Sequence, residues 1–214
     1  MARRLHPVAL VGATAVVVAA AAGGCTTTKT RAPATTAVAP PAQVAADALH
    51  QAAEVMEAVS SYRFVGTVDV GGHAVSIAGE FAAPDRLHET LTLAGQPPVE
   101  RIAIGATAYQ RTGTTWQRVA GQATSGDPRG TFAALAHATA VTRQGTGFSF
   151  ELTGSAAGSL VSGSALTVTG TATVIDGRIA DLGYHSAVAS GTTVHFAYSE
   201  IGTATPVTAP QVAP

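Results

Sequence analysis

Short stretches of alternating apolar and polar residues run from residue 62 to residue 199 and constrain the fold more than any other feature of the sequence. In the first stretch Tyr62, Phe64 and Val68 alternate with polar residues, and the chain then turns at Gly71-Gly72. A period of two places the apolar residues on one face of a β-strand. Because tight glycine turns join antiparallel neighbours, the pattern predicts an antiparallel sheet with one apolar face.

The same alternation recurs in both halves of the chain, with a tight hairpin turn predicted at Asp176-Gly177. Glycines inside the predicted strands, where they often mark a bend or a close approach, are Gly66, Gly79, Gly170 and Gly183. Two such halves are consistent with one large, strongly bent sheet. After the first hairpin, strands are predicted at 87–93, 99–104, 107–111, 115–119, 148–152, 166–174, 178–186 and 193–199.

Two segments have helical rather than extended periodicity. Residues 42–59 carry apolar side chains at steps of three and four, which predicts an amphipathic helix. Asp127-Pro128 resembles a helix start, with Phe132, Leu135 and Thr139 then on one side. The Gly/Ser/Ala-rich segment 153–164 is predicted to be a loop. The sequence therefore predicts an α+β fold.

The N-terminus has the layout of a secretory signal. Arg3 and Arg4 precede an uncharged apolar run over 7–22, and small residues then lead to Cys25, the single cysteine of the 214 residues. The segment Ala22-Gly23-Gly24-Cys25 resembles the lipobox of bacterial lipoproteins, in which the cysteine becomes the acylated first residue. The alternatives are a transmembrane anchor, for which the run is short, and a signal peptide cut elsewhere.

The lipobox resemblance predicts an exported chain that is held by a lipid, with palmitate among the expected acyl groups, on the outer face of the cytoplasmic membrane. Its expected parts are a signal peptide over 1–24, a flexible Thr/Pro/Ala tether over 25–41, one domain over 42–206 and a disordered tail over 207–214. With one cysteine, no intrachain disulfide is possible. The formal net charge of −1 and the scattered arginines predict no nucleic-acid partner.

Catalytic chemistry is not indicated by the motifs. The sequence has no G-x-S-x-G elbow, no S-x-x-K and no H-E-x-x-H, so we expect neither an enzyme nor a metal site or cofactor. His88, His185 and His195 with Asp181 are the residues that could gather on one face. Trp116 and Tyr109 could stack on a sugar, although a lone tryptophan is more often a core anchor.

Several segments follow one another in a distinctive order. They are an amphipathic helix leading into Ser61-Tyr62-Arg63-Phe64-x-Gly66-Thr67, then Tyr109-Gln110-Arg111 before Thr115-Trp116, and Phe196-x-Tyr198-Ser199-x-Ile201-Gly202 before Pro206. Together they resemble LppX/LprG-type actinobacterial lipoproteins, which are relatives of LolA-like carriers. The resemblance covers roughly residues 42–206.

This resemblance implies an unclosed antiparallel half-barrel of about 10–11 strands, with one long and one or two short helices on its concave face. It also implies an apolar cavity that takes acyl chains of lipids or lipoglycans, in a carrier or chaperone of the cell envelope. The alternative is a non-catalytic interaction or structural lipoprotein with a filled core, and a protein partner is left open.

The predicted cavity lining consists of apolar residues on the buried face. For each of them ordinary core packing is the alternative, because alternation marks a buried face without saying what covers it. The predicted set is Val55, Met56, Phe64, Val68, Val75, Ile77, Leu91, Leu93, Ile102, Ile104, Phe148, Phe150 and Val168.

Overall fold

Eleven antiparallel strands form one sheet in the described part of the chain, which comprises residues 39–119, 128–160, 167–186 and 191–212 of a computed structural model. The strand order is β6-β5-β4-β3-β2-β1-β11-β10-β9-β8-β7. The strands are β1 Ser61–Val70, β2 His73–Ala82, β3 Arg86–Leu93, β4 Val99–Ile104, β5 Thr107–Thr112, β6 Thr115–Val119, β7 Thr139–Gln144, β8 Gly147–Thr153, β9 Thr167–Ile175, β10 Arg178–Ser186 and β11 Thr192–Ser199.

The two halves of the chain meet in the middle of this sheet. Strand β1 pairs with β11, with Phe64 opposite Tyr198. Outward from this pair, β2 to β6 follow in chain order on one side and β10 to β7 in reverse chain order on the other. Strands β6 and β7 are the two ends of the order, so the sheet is not closed into a barrel. The predicted α+β fold with a half-barrel sheet of 10–11 strands is confirmed.

Within the described ranges three helices accompany the sheet: α1 Pro41–Ala58, α2 Pro128–Leu135 and α3 Gly154–Leu160. Helix α1 packs on β7, β10 and α2, while α3 packs on α2, β8 and β9. The buried side of α1 carries Ala45, Leu49, Ala52, Ala53 and Met56, at the spacing of one helix face. The helices therefore lie mainly over the half of the sheet that follows α2 in sequence.

The strand register divides the sheet into two faces, because residues directly opposite each other on neighbouring strands point to the same side. Tyr62, Phe81, Leu87 and Ala103 are successive register partners from β1 to β4, and all are buried in the core that the helices complete. We call their side the helix-facing side. The opposite side is the outer side.

An aromatic cluster joins the first strand, the last strand and α2. The ring of Tyr62 lies 5.1 Å from Phe81, 5.9 Å from Phe132 and 5.6 Å from Tyr198, measured between centroids. Burial raises the pKa of Tyr198 well above its ordinary value, so the phenol stays neutral. The cluster ties the two halves of the sheet together.

The structure corrects two predictions about local elements. Residues expected in the loop 153–164 include helix α3, which places Ala157 in the core with no exposed surface. Alanine has the highest helix propensity, and this burial outweighs the loop-forming tendency of the glycines and serines. Thr139 begins β7 instead of lying on α2, and Asp127 is outside the described residues.

One residue of the tail expected to be disordered over 207–214 is buried, and positions 213 and 214 of that tail lie outside the described residues. Val207 is 4% exposed, and its carbonyl accepts a hydrogen bond of 3.0 Å from Arg86 Nη1. Further on, Val212 forms a bridge with Trp116 on the edge strand β6. The composition predicted disorder because one isolated valine carries no periodic signal, and the burial of Val207 against distant strands has no local signature.

Candidate functional site

The part of the sheet under the helices is filled by side chains. Met56 of α1, Phe148 and Phe150 of β8 and Val168 of β9 are at most 5% exposed, and they belong to one cluster with Phe64. These five predicted lining residues therefore occupy packed positions.

Five other predicted lining residues form a contiguous patch on the helix-facing side, and we call them the open apolar block. In register, Val68 is opposite Val75 and Val75 is opposite Leu93, while Ile77 is opposite Leu91. Their side chains are only half-buried, except Leu93, which is 40% exposed. Val68 and Ile77 also pack against the core, so the block is a continuation of the core surface beyond the helices.

Two predicted lining residues point away from this surface. Ile102 is opposite His88 and Ile104 is opposite Arg86, which places both isoleucines on the outer side. Ile102 is nevertheless buried, at 8% exposed, so an apolar residue of β4 does not have to lie on the helix-facing side. Arg86 binds the carbonyl of Val207, so the chain after β11 lies against this part of the outer side. Burial on the outer side therefore explains why these two apolar residues were predicted as part of the lining.

The remaining predicted residue, Val55, lies on α1 next to Met56 but is 37% exposed. Consecutive positions on a helix are about 100° apart, so only one of the two can face the sheet fully. Met56 takes that position. The structure therefore brings together Val68, Val75, Ile77, Leu91 and Leu93 as an accessible group and removes Val55, Ile102 and Ile104 from it.

A row of polar side chains borders the open apolar block, and sequence reasoning missed it. Glu89, Arg101, Gln110 and Gln117 are successive register partners on β3 to β6, and we call them the polar strip. Glu89 interrupts the apolar series Leu87-x-Glu89-x-Leu91, and this was the available signal. Its Glu89–Arg101 end lies on the helix-facing side between two apolar register pairs, Leu87 with Ala103 and Leu91 with Val99.

Glu89 and Arg101 form an ion pair within this strip. Arg101 Nη1 lies 3.3 Å from Glu89 Oε1, and the two side chains are 19% and 17% exposed. Burial raises the pKa of Glu89, although the positive charges of Arg101 and His88 oppose the rise. The pair therefore carries a desolvation cost on a surface that is otherwise mostly apolar.

The outer side is polar by contrast. Arg63 contacts Glu80 and Glu200, and Glu100 accepts hydrogen bonds of 2.9 Å from His88 Nε2 and 2.7 Å from Arg111 Nη1. Burial disfavours ionisation of Glu100, but these partners lower its pKa on balance. This side has the charge pattern of a solvated sheet surface.

The histidines considered for catalysis lie on this outer side but do not all gather. His195 Nε2 is 2.9 Å from Asp181 Oδ1, and His185 Nδ1 is 3.2 Å from Thr193 Oγ1, whereas His88 binds Glu100 on β4. The His195 and Asp181 side chains are 57% and 45% exposed, as in an ordinary surface ion pair. In the described ranges, no three His, Cys, Asp or Glu side chains are placed to hold a metal ion.

The predicted membrane attachment rests on residues that the structure does not describe. Cys25 lies outside the described residues, so its expected acylation stays a prediction. Among the helices that are described, none combines the length and the apolar character that crossing a bilayer requires.

The sequence matches no protein-family model and no curated protein. Solved structures with the same arrangement of sheet and helices do match. Mycobacterium bovis LprF is similar over 81% of this chain and 99% of its own, with 14% identity and a TM-score of 0.60. The Mycobacterium tuberculosis lipoprotein LppX is similar over 78% and 99%, with 13% identity and a TM-score of 0.56.

The chain has the LppX-type fold. The resemblance stated from Ser61-Tyr62-Arg63-Phe64 and the later segments is thereby confirmed at the level of the fold. On the LppX-type sheet of this chain, the open apolar block is partly exposed and the Glu89–Arg101 end of the polar strip borders it.

Proposed function

We propose that this protein binds acyl chains of a lipid or lipoglycan on the helix-facing side of its half-barrel, as a carrier or chaperone of the cell envelope. The observation that carries the proposal is the open apolar block. It continues the core surface past the helices, where aliphatic side chains stay partly exposed, while most charged side chains of β1 to β6 lie on the other side.

The shape of this block suits a hydrocarbon chain better than a protein partner. It extends over β1, β2 and β3, and adjacent strands are about 4.8 Å apart, so it forms a strip about 10 Å wide beside the filled core. An area of that size is small for a stable protein interface. An acyl chain, by contrast, gains about 0.8 kcal/mol for each methylene that leaves water.

A lipid anchor on Cys25 completes the proposal. The layout Arg3-Arg4, apolar run, Gly23-Gly24-Cys25 supports acylation of the cysteine, and the tether would then keep the domain near the membrane surface. Incorporation of labelled palmitate into the native chain and its loss from Cys25→Ser tests this part. Label retained on the Cys25→Ser chain would contradict it.

The binding proposal is tested with a matched pair of exposed aliphatic residues. Leu93 belongs to the open apolar block and is 40% exposed, while Val65 points to the outer side and is 52% exposed. A chain begun at Thr26 is titrated with a fluorescent fatty acid, and its bound lipids are recorded by native mass spectrometry. We expect Leu93→Asp to weaken binding at least about tenfold and Val65→Asp to leave it unchanged.

The alternative function is an interaction or structural lipoprotein with no lipid ligand. It is supported by the filled core under the helices, where Met56, Phe148, Phe150 and Val168 leave little exposed surface. If the wild-type chain takes up no fatty acid and shows a clean apo mass, this alternative replaces the carrier.

A further inference from the structure

The Glu89–Arg101 ion pair stands out because of the face on which it lies. Between residues 61 and 119, which the structure describes without a gap, the strands carry all their other Asp, Glu, Lys and Arg side chains on the outer side. A buried ion pair is often no more stabilising than apolar residues of the same volume. Stability therefore gives no reason for this one to be on the apolar side.

The contact with Glu89 uses only part of the hydrogen-bond donors of the Arg101 guanidinium. The pair is a single 3.3 Å contact, and in the described part of the chain no side-chain hydrogen bond of Arg101 accompanies it. On the outer side, Arg111 Nη1 donates to Glu100 at 2.7 Å from the same cross-strand position. An arginine presents five N–H donors in a planar fork, and this arrangement suits a phosphate or a carboxylate.

The neighbours of the pair add hydrogen-bonding groups on one side and apolar surface on the other. Arg101 is opposite Gln110 in register, and Gln110 is opposite Gln117. On β3, Glu89 lies two residues from Leu91 of the open apolar block. A ligand with a hydrocarbon chain on the block would therefore bring its polar end to the strip.

We propose that the polar strip is the headgroup site for an acidic lipid, with Arg101 contacting the carboxylate or phosphate while the acyl chain lies on the open apolar block. The headgroup takes the place of the Glu89 carboxylate beside Arg101, and the amides of Gln110 and Gln117 provide donors and acceptors for further headgroup oxygens. This inference rests on the proposed acyl-chain binding and deepens it by naming the class of lipid.

The test compares lipids that share their acyl chains and differ in headgroup charge. Uptake of dioleoyl phosphatidic acid, oleic acid and neutral dioleoyl glycerol is measured by native mass spectrometry on the chain begun at Thr26, whose core lies within Val38–Pro214. We expect at least about a tenfold preference of the wild type for the acidic lipids. Arg101→Gln should reduce their uptake to that of the neutral lipid, and Arg101→Lys should keep part of the preference.

Arg111→Gln is the matched control, because it removes a cross-strand Glu–Arg contact on the outer side. It should keep the full preference. The double variant Glu89→Gln/Arg101→Gln removes both charges without leaving one buried alone, so it covers the case in which Arg101→Gln does not fold. This double variant should also lose the preference.

The outcomes separate the two proposals. A wild type that binds neutral and acidic lipids equally, or an Arg101→Gln chain that keeps the preference, overturns the headgroup site and leaves acyl binding intact. No uptake of any of the three lipids overturns acyl binding itself. Displacement of phosphatidic acid by millimolar inorganic phosphate would show that the polar strip binds a free anion, which overturns its assignment as a lipid headgroup site. We expect no such displacement.

Discussion

The ring of Phe64 lies against Gly79, its register partner on the neighbouring strand. A Cβ atom built at Gly79 would be 2.6 Å from Cζ of Phe64 and closer still to the backbone carbonyl of His88. Phe196 covers Gly66 and Phe150 covers Gly170 in the same cross-strand relation. These three glycines confirm the predicted close approach, whereas a Cβ at Gly183 would meet its nearest neighbour at an ordinary 3.5 Å.

The first prediction follows from this packing. Gly79→Ala places a methyl group where the Phe64 ring and the His88 carbonyl already are, so we expect a loss of about 2 kcal/mol in the free energy of unfolding. Gly130 in α2 has no atom within 4 Å of a built Cβ. Gly130→Ala should therefore raise stability by about 0.5–1 kcal/mol. Urea unfolding measures both, and an unchanged Gly79→Ala midpoint would contradict the packing.

The second prediction concerns the segment after β11. Val207→Ser replaces a buried apolar side chain by one with a hydroxyl group. We expect a loss of about 2 kcal/mol in the free energy of unfolding, because apolar burial is lost. Val212 is 44% exposed, and Val212→Ser should change stability by less than about 0.5 kcal/mol. Equal effects of the two substitutions in thermal unfolding would show that the segment is not packed as described.

The third prediction concerns the length of the bound chain. If the ligand lies on the open apolar block, each pair of added methylenes should tighten binding about tenfold until the apolar surface is used up. Affinities of saturated fatty acids of increasing length should therefore rise and then level off. A series in which affinity does not depend on length would point to binding by the headgroup alone.

The fourth prediction is a pH dependence of stability. Because the pKa of Glu89 is higher in the folded chain than in the unfolded chain, the wild type loses stability as the pH rises from about 4 through that raised pKa. Glu89→Gln removes this loss, so it should be more stable than the wild type at pH 7. The difference should vanish at about pH 4 and below.

Glu100→Gln is the control with the opposite sign. The pKa of Glu100 is lowered by His88 and Arg111, so its contribution to stability is present at neutral pH and is lost as the pH falls through the lowered pKa. Glu100→Gln should thus be less stable than the wild type at pH 7. Urea unfolding from pH 3 to pH 8 gives both curves, and parallel curves for Glu89→Gln and the wild type would refute the burial of a charged Glu89.

Much of the secondary structure could be predicted because its causes are local. The glycine turns at Gly71-Gly72 and Asp176-Gly177, together with the period-two stretches, identify most of the strands, and the three- and four-residue spacing identifies α1. Helix α3 was missed because it depends on the burial of Ala157 against the sheet. No local pattern reports that contact.

The candidate site was predictable only in part. Val68, Val75, Ile77, Leu91 and Leu93 lie on one surface, since alternation within a strand gives each residue a definite side, and their role as a ligand lining stays a prediction. Ile102 and Ile104 were misplaced because both sides of β4 include buried residues. The pairing of Glu89 with Arg101 is invisible in the sequence, where the two are twelve positions apart.

The sequence by itself determined a bent antiparallel sheet with one apolar face and one long helix, because these features follow from periodicity and turn chemistry within short segments. Only the tertiary structure decided which part of that face is packed and which part is open. Helices α1 and α3 contact β7 to β10, and the block on β1 to β3 stays partly exposed. The reason is physical, since alternation specifies the side of a strand but only contacts between distant segments specify what covers it.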